Sequence, residues 1–170
     1  SGTEDAFAEL MTRRAREIGL SRSTFRNSTG WPDPEHRMTV REIARLSQLM
    51  IENFPQYYGY FAEKSFRYSN ITQPNRNPLL GKSEGIDGLK TGHTEEAGFG
   101  VAVSAERDGR RLVVVVTGLT SEKERAAESA REDEITDRTS ASCCLVALGK
   151  VSEGVVNVFG KRYIKTAFVC

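Results

Sequence analysis

The sequence predicts an α/β domain in which two helices precede a β-hairpin and a third helix follows it. Apolar residues recur at helical spacing over residues 4–18 and 39–54. Strand-like runs at 99–106 and 110–118 are joined by Asp108-Gly109, and an Asp-Gly pair between two apolar runs is a strong indication of a tight hairpin turn. With 170 residues, the chain is long enough for one domain with one hydrophobic core.

The first helix is predicted to be amphipathic, with its apolar residues on one side. These residues are Phe7, Leu10, Met11 and Ile18. Gly19 suits the end of the helix because glycine accepts the left-handed conformation that closes many helices. Residues 21–38, which include the turn-forming run 27–34, are predicted to form a loop.

The second helix has a recognisable start and end. Thr39 and Glu42 have the spacing of a capping box, which places the first turn just after Thr39. Pro55 lies just after the expected end. The apolar face of this helix is predicted to consist of Ile43, Leu46, Met50 and Phe54.

Three short segments are predicted between the second helix and the hairpin. Residues 57–63, which are rich in Tyr and Phe, are expected to form a short helix whose aromatic side chains serve in packing. Residues 65–72 are predicted to be extended, and residues 73–88, with two prolines and three glycines, are predicted to be a loop.

The second strand of the hairpin is predicted to lie inside a sheet. Residues 112–116 read Leu-Val-Val-Val-Val, and such a run would be buried on both faces. Ser121 and Glu124 repeat the capping-box spacing, which predicts a helix that continues to about Arg131.

Composition limits the classes of partner. Lys and Arg total 24 and Asp and Glu total 23, so the net charge of +1 gives no general attraction to nucleic acid or to anionic lipid. No apolar run reaches the roughly 18 residues of a membrane-spanning helix. No signal peptide is visible, and the first residue is not Met. The sequence is therefore interpreted as a trimmed piece of a longer protein.

The cysteines and histidines do not predict a metal site. The three cysteines, Cys143, Cys144 and Cys170, form an odd, clustered set that is a poor disulfide framework. The two histidines, His36 and His93, are far from them in sequence. Neither a metal nor another cofactor is expected.

The tripeptide Lys90-Thr91-Gly92 is the most informative motif, because its residue types suit the binding of a peptide carboxylate. A Lys ammonium can hold the carboxylate, and a Thr hydroxyl can add a hydrogen bond to it. The missing side chain of Gly92 lets a peptide lie against the strand. The next backbone N–H, that of His93, can face a developing oxyanion. In serine acyl-transfer enzymes this tripeptide is one of three motifs.

Residues around this motif carry a family resemblance. Asp-Gly-Leu precedes the motif and His-Thr-Glu-Glu-Ala-Gly follows it. The other matching positions are 25–27, Gly30, 33–36, Thr39, 73–80, Asp108-Gly109 and Arg125. From about Ser1 to Arg131, the chain resembles the D-alanyl-D-alanine carboxypeptidases, which are low-molecular-mass penicillin-binding proteins, and is most similar to those of Gram-negative bacteria.

The resemblance implies a fold and a reaction. The fold is that of the penicillin-recognising serine peptidases, shared with β-lactamases and transpeptidases, in which an antiparallel sheet is flanked by helices on both faces. Enzymes of this family remove the terminal D-Ala of the peptidoglycan pentapeptide through an acyl-serine intermediate, and β-lactam antibiotics acylate them. The resemblance also implies that the parent protein works in the periplasm on the cell wall.

The resemblance assigns candidate roles to six residues. The residues expected to bind substrate are Lys90, Thr91, Gly92, His93, Arg76 and Arg125. The backbone N–H of His93 would complete the oxyanion hole, while its side chain can equally be structural. Arg76 and Arg125 are further candidates for steering the terminal carboxylate. The alternatives are that Arg76 holds its loop by bonding to carbonyl groups and that Arg125 is an ordinary surface arginine.

Two family motifs are absent. The family uses Ser-x-x-Lys, with Ser as nucleophile and Lys as base, but no lysine here has Ser three residues before it. The Ser-x-Asn motif is also missing. In the family both motifs precede the matching region. The sequence is therefore interpreted as truncated at its N-terminus, without a catalytic residue of its own, and this chain alone is expected to be inactive.

The domain prediction divides the chain at residue 131. Residues 1–131 are predicted to be the C-terminal part of the catalytic domain. Residues 132–170 are predicted to be an atypical tail, since they resemble neither the β-rich domain nor the membrane-anchoring helix that follow in the family. A frameshifted, mis-joined or mispredicted end is the favoured explanation of the tail, and a real divergent end is the alternative.

Two other functions stay open. One is a non-catalytic module that binds peptidoglycan peptides or an envelope protein. This module would have to fold alone, although the Val-rich strand would then lack sheet neighbours and expose an edge. The other is a β-lactamase-like hydrolase. The His93-Thr94 extension, the 75–77 loop and the lack of an acidic loop resembling a deacylation base all argue against it.

Overall fold

The structure, a computed structural model, describes residues 2–136, 143–149, 156–158, 161–163 and 166–169, with side-chain surroundings as far as residue 130. Its helices and strands are α1 (Glu4–Glu17), α2 (Val40–Asn53), α3 (Pro55–Tyr58), a 3-10 turn (Gly59–Ala62), β1 (Ser65–Tyr68), β2 (Ile71–Pro74), β3 (Ile86–Thr94), β4 (Gly98–Arg107), β5 (Arg110–Leu119), α4 (Glu122–Thr136), β6 (Cys143–Gly149), β7 (Val156–Val158), β8 (Lys161–Tyr163) and β9 (Thr166–Val169).

Five strands form the main sheet, in the order β3-β4-β5-β6-β9. The β3–β4, β4–β5 and β6–β9 pairs are antiparallel, whereas β5 and β6 are parallel and are connected through α4. The remaining described strands form two separate hairpins, β1–β2 and β7–β8. Strand β3 therefore lies at an edge of the main sheet, and β5 lies inside it.

Helices cover both faces of this sheet, as predicted. Alternate residues of a strand point to opposite faces, and residues 112–116 of β5 are all buried. Val113 and Val115 pack with Ala44 of α2 on one face. On the other face, Leu112 and Val114 line a small cavity with Ser129 of α4. The apolar run of β5 is thus buried on both faces, and its prediction as an interior strand is confirmed.

The bounds predicted for α1 are confirmed, but its buried side is different. The Thr3 hydroxyl accepts a hydrogen bond from the Ala6 N–H at 3.2 Å, which caps the first turn. The buried residues of α1 are Ala8 and Ala15. Phe7 and Ile18, which were predicted to lie on the packing side, are instead exposed.

Only half of the predicted capping box at α2 forms. The Thr39 hydroxyl accepts from the Glu42 N–H at 3.2 Å. The buried Glu42 carboxylate, however, accepts from the Arg22 N–H and the Ser23 hydroxyl instead of reaching back to Thr39. The loop that precedes α2 is therefore tied to the helix by this carboxylate. Phe54, predicted to lie on the apolar face, is 47% exposed.

The β4–β5 hairpin forms where the Asp-Gly pair predicts it. Asp108 and Gly109 both have positive φ, of 50° and 71°, which is the backbone of the tight turn that such a pair favours. The register pairs Arg107 with Arg110 directly across the turn.

Replacing Gly109 with Val should lower the free energy of unfolding by about 1–2 kcal/mol, because a residue with a Cβ is strained at positive φ. Nothing lies within 4 Å of the position that a Cβ would occupy, so the backbone alone accounts for the effect. Urea unfolding followed by circular dichroism measures it. Asp108→Asn is the control, since Asn tolerates the left-handed conformation. An unchanged unfolding midpoint for Gly109→Val would contradict the turn.

Three features of the structure differ from the sequence prediction. The segment predicted to be a loop at 73–88 starts within β2 and ends within β3, because hairpin and sheet pairing extend the chain there. Helix α4 runs to Thr136, past the end expected at Arg131. Strand β5 has β6 as its second neighbour, whereas the sequence suggested an exposed edge. No helix among the described residues is long and apolar enough to cross a membrane.

Parts of the predicted tail at 132–170 are described as backbone only. Strands β6 to β9 belong to it, and β6 and β9 join the main sheet. Residues 137–142, 150–155, 159–160, 164–165 and 170 lie outside the described residues. The division of the chain at residue 131 and the interpretation of residues 132–170 as an atypical end stay predictions.

Candidate functional site

The Lys90-Thr91-Gly92 motif lies in the middle of β3, at the edge of the main sheet. Lys90 is exposed, Thr91 is buried, and both Gly92 and His93 are exposed. The Lys90 ammonium donates a hydrogen bond to the carbonyl oxygen of Thr91. The edge of β3 opposite β4 has no paired strand among the described residues. An extended peptide can therefore pair with β3 along this edge.

Open space lies next to Gly92. A Cβ built at this residue would have no atom within 4 Å. The glycine is therefore not required by packing inside the chain. A ligand that lies along β3 can approach the backbone closely at this point.

His93, Phe99 and Arg125 form a stack beside the motif. The rings of His93 and Phe99 are 3.9 Å apart between centroids, with an interplanar angle of 27°. The Arg125 Cζ lies over the Phe99 ring, 5.8 Å from its centroid. The structure thus brings Arg125 of α4 close to the end of the motif on β3.

Arg125 is buried, and one of its hydrogen-bond donors has no acceptor among the described residues. Its side chain is 6% exposed, and its Nη2 lies 3.3 Å from the carboxylate of Glu122, which is itself 71% exposed. The buried Nε has no hydrogen-bond partner in the described part of the chain. A buried donor without an acceptor costs about 1–3 kcal/mol, so Arg125 is not the ordinary surface arginine that was one alternative.

Arg76 is exposed on the loop between β2 and β3. Its guanidinium makes no hydrogen bond or ion pair with the part of the chain that the structure describes. Its neighbours hold the loop instead. The amide of Asn75 donates to the carbonyl oxygens of Phe61 and Glu63, and Asn77 binds the loop to β3. Among the described residues, no hydrogen bond, ion pair or ring contact joins Arg76 to the other candidate residues.

A polar cluster precedes the motif, and it was not predicted from the sequence. The Asp87 carboxylate accepts from the Tyr58 hydroxyl at 2.8 Å and from Nη1 of Arg111 at 2.8 Å. The same Nη1 donates to the hydroxyl of the fully buried Ser104 at 2.7 Å. These four residues, here named the Asp87 cluster, join α3, β3, β4 and β5.

The electrostatics of the cluster favour a neutral phenol next to an ion pair. Burial raises the pKa of Tyr58, and its hydrogen bond to the Asp87 carboxylate adds to the increase although the bond to Ser104 opposes it. Burial lowers the pKa of Arg111, but the combined effects of Asp87, Tyr58 and Glu106 raise it, and the pKa of Arg111 lies above its ordinary value. Tyr58 is therefore a hydrogen-bond donor to Asp87 at neutral pH.

Nothing local in the sequence identifies this cluster. Tyr58 lies 29 residues before Asp87, and Arg111 lies 24 residues after it. The packing role predicted for the aromatic segment holds for Tyr58 and Phe61, which pack against the sheet. Tyr57 and Tyr60 are exposed. The single available signal was Asp87 itself, an acidic residue three positions before Lys90.

A family model described as D-alanyl-D-alanine carboxypeptidase matches residues 1–121, which is most of the described chain. The chain belongs to this family. Relatives with similar sequences are also D-alanyl-D-alanine carboxypeptidases. The carboxypeptidase DacC of Escherichia coli is 36% identical over 132 residues, which cover 77% of this chain and 33% of DacC. The carboxypeptidase DacD of the same organism is 38% identical over 132 residues, which cover 34% of DacD. The chain spans about a third of the length of these relatives.

Solved structures confirm the fold class. Penicillin-binding protein 5 of Haemophilus influenzae is similar with a TM-score of 0.74 and 28% identity, over 97% of this chain and 49% of that one. Penicillin-binding protein D2 of Listeria monocytogenes, solved in its ampicillin-bound form, has a TM-score of 0.68 and 27% identity, over 76% of this chain and 55% of that one. The chain has the penicillin-recognising serine peptidase fold.

Proposed function

We propose that this chain carries the substrate-binding strand of a serine-type D-alanyl-D-alanine carboxypeptidase that works on peptidoglycan in the periplasm. The observation that carries the proposal is the exposed Lys90 on an edge strand, followed by open space at Gly92. A short peptide can add to such an edge through backbone hydrogen bonds, and a lysine placed there can hold its terminal carboxylate.

Each residue of the motif has a role in this proposal. Lys90 binds the carboxylate of the terminal D-Ala, and Thr91 donates a hydrogen bond to the same group. Gly92 leaves room for the peptide. The backbone N–H of His93 donates to the carbonyl oxygen of the bond to be cleaved, where negative charge develops. The stacking of His93 on Phe99 supports a structural role for its side chain.

Arg76 and Arg125 add positive charge to the proposed site. Arg76 is available, since the asparagines on either side hold its loop. Arg125 has a buried Nε donor that a carboxylate oxygen, or a water bound to one, can satisfy. We propose that both steer the terminal carboxylate toward Lys90.

The covalent step needs a serine that this sequence does not contain in its family motif. In the proposed reaction, the serine oxygen attacks the carbonyl carbon of the penultimate D-Ala, and the bond to the nitrogen of the terminal D-Ala breaks. The serine proton passes through a base to the leaving amine. Water then hydrolyses the ester and releases the shortened peptide. The residues in this chain bind and polarise the substrate but supply no nucleophile.

The chain alone should therefore not be acylated by a penicillin. The test incubates it with a fluorescent penicillin and measures its intact mass. A chimera, in which the part of Escherichia coli DacC that precedes the matching region is fused before residue 1, is treated in parallel. The chimera should gain the mass of one penicillin, and the chain alone should keep its own mass.

The same experiment contains its control. A chimera in which the serine of the DacC Ser-x-x-Lys motif is replaced by alanine should gain no mass. Acylation of the short chain would show that one of its own serines is a nucleophile, and it would overturn the proposal. A folded chimera that is never acylated would mean that β3 does not serve a carboxypeptidase site.

A second function, a module that binds peptidoglycan peptides without cleaving them, has one observation in its favour. Strand β6 covers the side of β5 that would otherwise be an open edge, so the chain assembles a five-stranded sheet by itself. Binding of a D-Ala-D-Ala peptide by the folded chimera, with no acylation of that chimera by penicillin, would favour this module over an enzyme.

A further inference from the structure

We propose that the Asp87 cluster, together with Asn77, is a positioning device that sets the strand of Lys90 and the loop of Arg76 at a defined separation. This inference rests on the proposed function, because it concerns how the two cations are held for one carboxylate. It adds to that site five positioning residues outside the Lys90-Thr91-Gly92 motif, namely Tyr58, Asp87, Ser104, Arg111 and Asn77.

The first part of the device holds the beginning of β3. Asp87 receives a hydrogen bond from Tyr58 of α3 and an ion pair from Arg111 of β5. Arg111 also lies over the Tyr58 ring, with its Cζ 5.1 Å from the ring centroid. Because Arg111 in turn bonds to the buried Ser104 of β4, Asp87 is connected to three elements besides its own. Such networks stabilise one arrangement when their members are satisfied.

The second part of the device holds the next residue, Gly88. Its carbonyl oxygen accepts from Nδ2 of the buried Asn77 at 2.7 Å. A Cβ built at Gly88 would lie 2.7 Å from the Tyr58 hydroxyl oxygen and 3.4 Å from Cβ of Phe61. Gly88 therefore lies between α3 and the loop, with no space to shift toward α3.

The device lies close in sequence to both proposed cations, Arg76 and Lys90. Arg76 is the residue before Asn77, and Lys90 is the second residue after Gly88. The hydrogen bond between Asn77 and Gly88 is thus the short connection from the Arg76 loop to the Lys90 strand. Like charges repel each other, so a fixed connection between the loop and the strand would oppose their separation before a carboxylate binds.

Tyr58→Phe tests the device, because it removes one hydroxyl oxygen and leaves the ring in place. The ligands are an acyl-D-Ala-D-Ala peptide with a free carboxylate and the same peptide as its C-terminal amide, titrated into the full chain by NMR. In the wild-type chain the acid should bind more tightly than the amide. In Tyr58→Phe this ratio should fall about tenfold, the equivalent of roughly 1.4 kcal/mol. Tyr57→Phe, at an exposed tyrosine of the same helix, is the matched control and should leave the ratio unchanged.

Amide hydrogen exchange gives a readout that needs no ligand. In Tyr58→Phe the amides of Lys90 and Thr91 should exchange about tenfold faster, while those of Val113–Val115 in β5 keep their rates, because opening is then local to β3. A uniform increase across the sheet would indicate a loss of global stability and would overturn the positioning role. So would a wild-type exchange pattern in Tyr58→Phe.

The two failures can be told apart. A wild-type chain that binds acid and amide equally contradicts the proposed function, and hydrogen exchange then decides whether the cluster still holds β3. A wild-type chain that prefers the acid, with the same preference in Tyr58→Phe, leaves the proposed function standing and overturns the positioning role alone.

Discussion

Replacing Lys90 with Met should weaken the binding of an acyl-D-Ala-D-Ala peptide by about 10- to 100-fold, since a hydrogen bond to a charged group contributes about 1.5–3 kcal/mol. Met keeps most of the length and apolar surface of the lysine side chain, so the change removes mainly the ammonium. Lys90 is exposed, and its ammonium donates within the chain to the Thr91 carbonyl oxygen. The stability of the chain should therefore change little.

Isothermal titration of the chain with the peptide measures the affinity, and the acylation rate of the DacC chimera by a fluorescent penicillin measures the consequence for the reaction. Lys82→Met, at an exposed lysine on the loop before β3, is the matched control and should change neither value. A loss of less than about threefold in Lys90→Met, which is well under 1 kcal/mol, would exclude Lys90 as the main carboxylate ligand.

Arg125→Met should have opposite effects on stability and on binding. The free energy of unfolding should rise by about 1 kcal/mol, because a buried guanidinium with an unsatisfied Nε is replaced by an apolar side chain of similar length. The favourable contact of the guanidinium with Phe99 offsets part of this gain. Glu122 loses its partner at little cost, since that carboxylate is mostly exposed.

The same substitution should weaken binding of the peptide acid by about tenfold, the value of one charge-assisted hydrogen bond. Binding of the peptide amide should change much less. Urea unfolding and the two titrations measure these effects in one variant. Arg110→Met, at the start of β5 and away from the motif, serves as the control for removing a positive charge. If Arg125→Met destabilises the chain and leaves the preference for the acid intact, Arg125 is structural and the proposed steering role is wrong.

Local patterns in the sequence were sufficient for most of the regular elements. The capping residues Thr39 and Ser121 mark helix starts because their side chains bond to backbone N–H groups three residues away. Asp108-Gly109 marks the hairpin because few other pairs accept positive φ at both positions. Each of these signals concerns residues within a few positions of one another.

The same patterns were less informative about which side chains are buried. Phe54 and Phe7 have the spacing of an apolar face but are exposed, while the smaller Ala8 and Ala44 are buried. Helical spacing shows that residues share a side of a helix, but it does not show which side meets a neighbouring element. Glu42 likewise has capping-box spacing, but its carboxylate accepts hydrogen bonds from a loop that is distant in sequence.

By itself, the sequence determined the family, the hairpin, the interior position of β5 and the strand that carries Lys90-Thr91-Gly92, because these depend on short-range backbone preferences and on a compact motif. Only the tertiary structure decided that Arg125 is buried against Phe99, that Arg76 is left available by its neighbours, and that Tyr58 and Arg111 meet at Asp87. These features depend on contacts between residues more than ten positions apart, and chain packing, not local preference, brings such residues together.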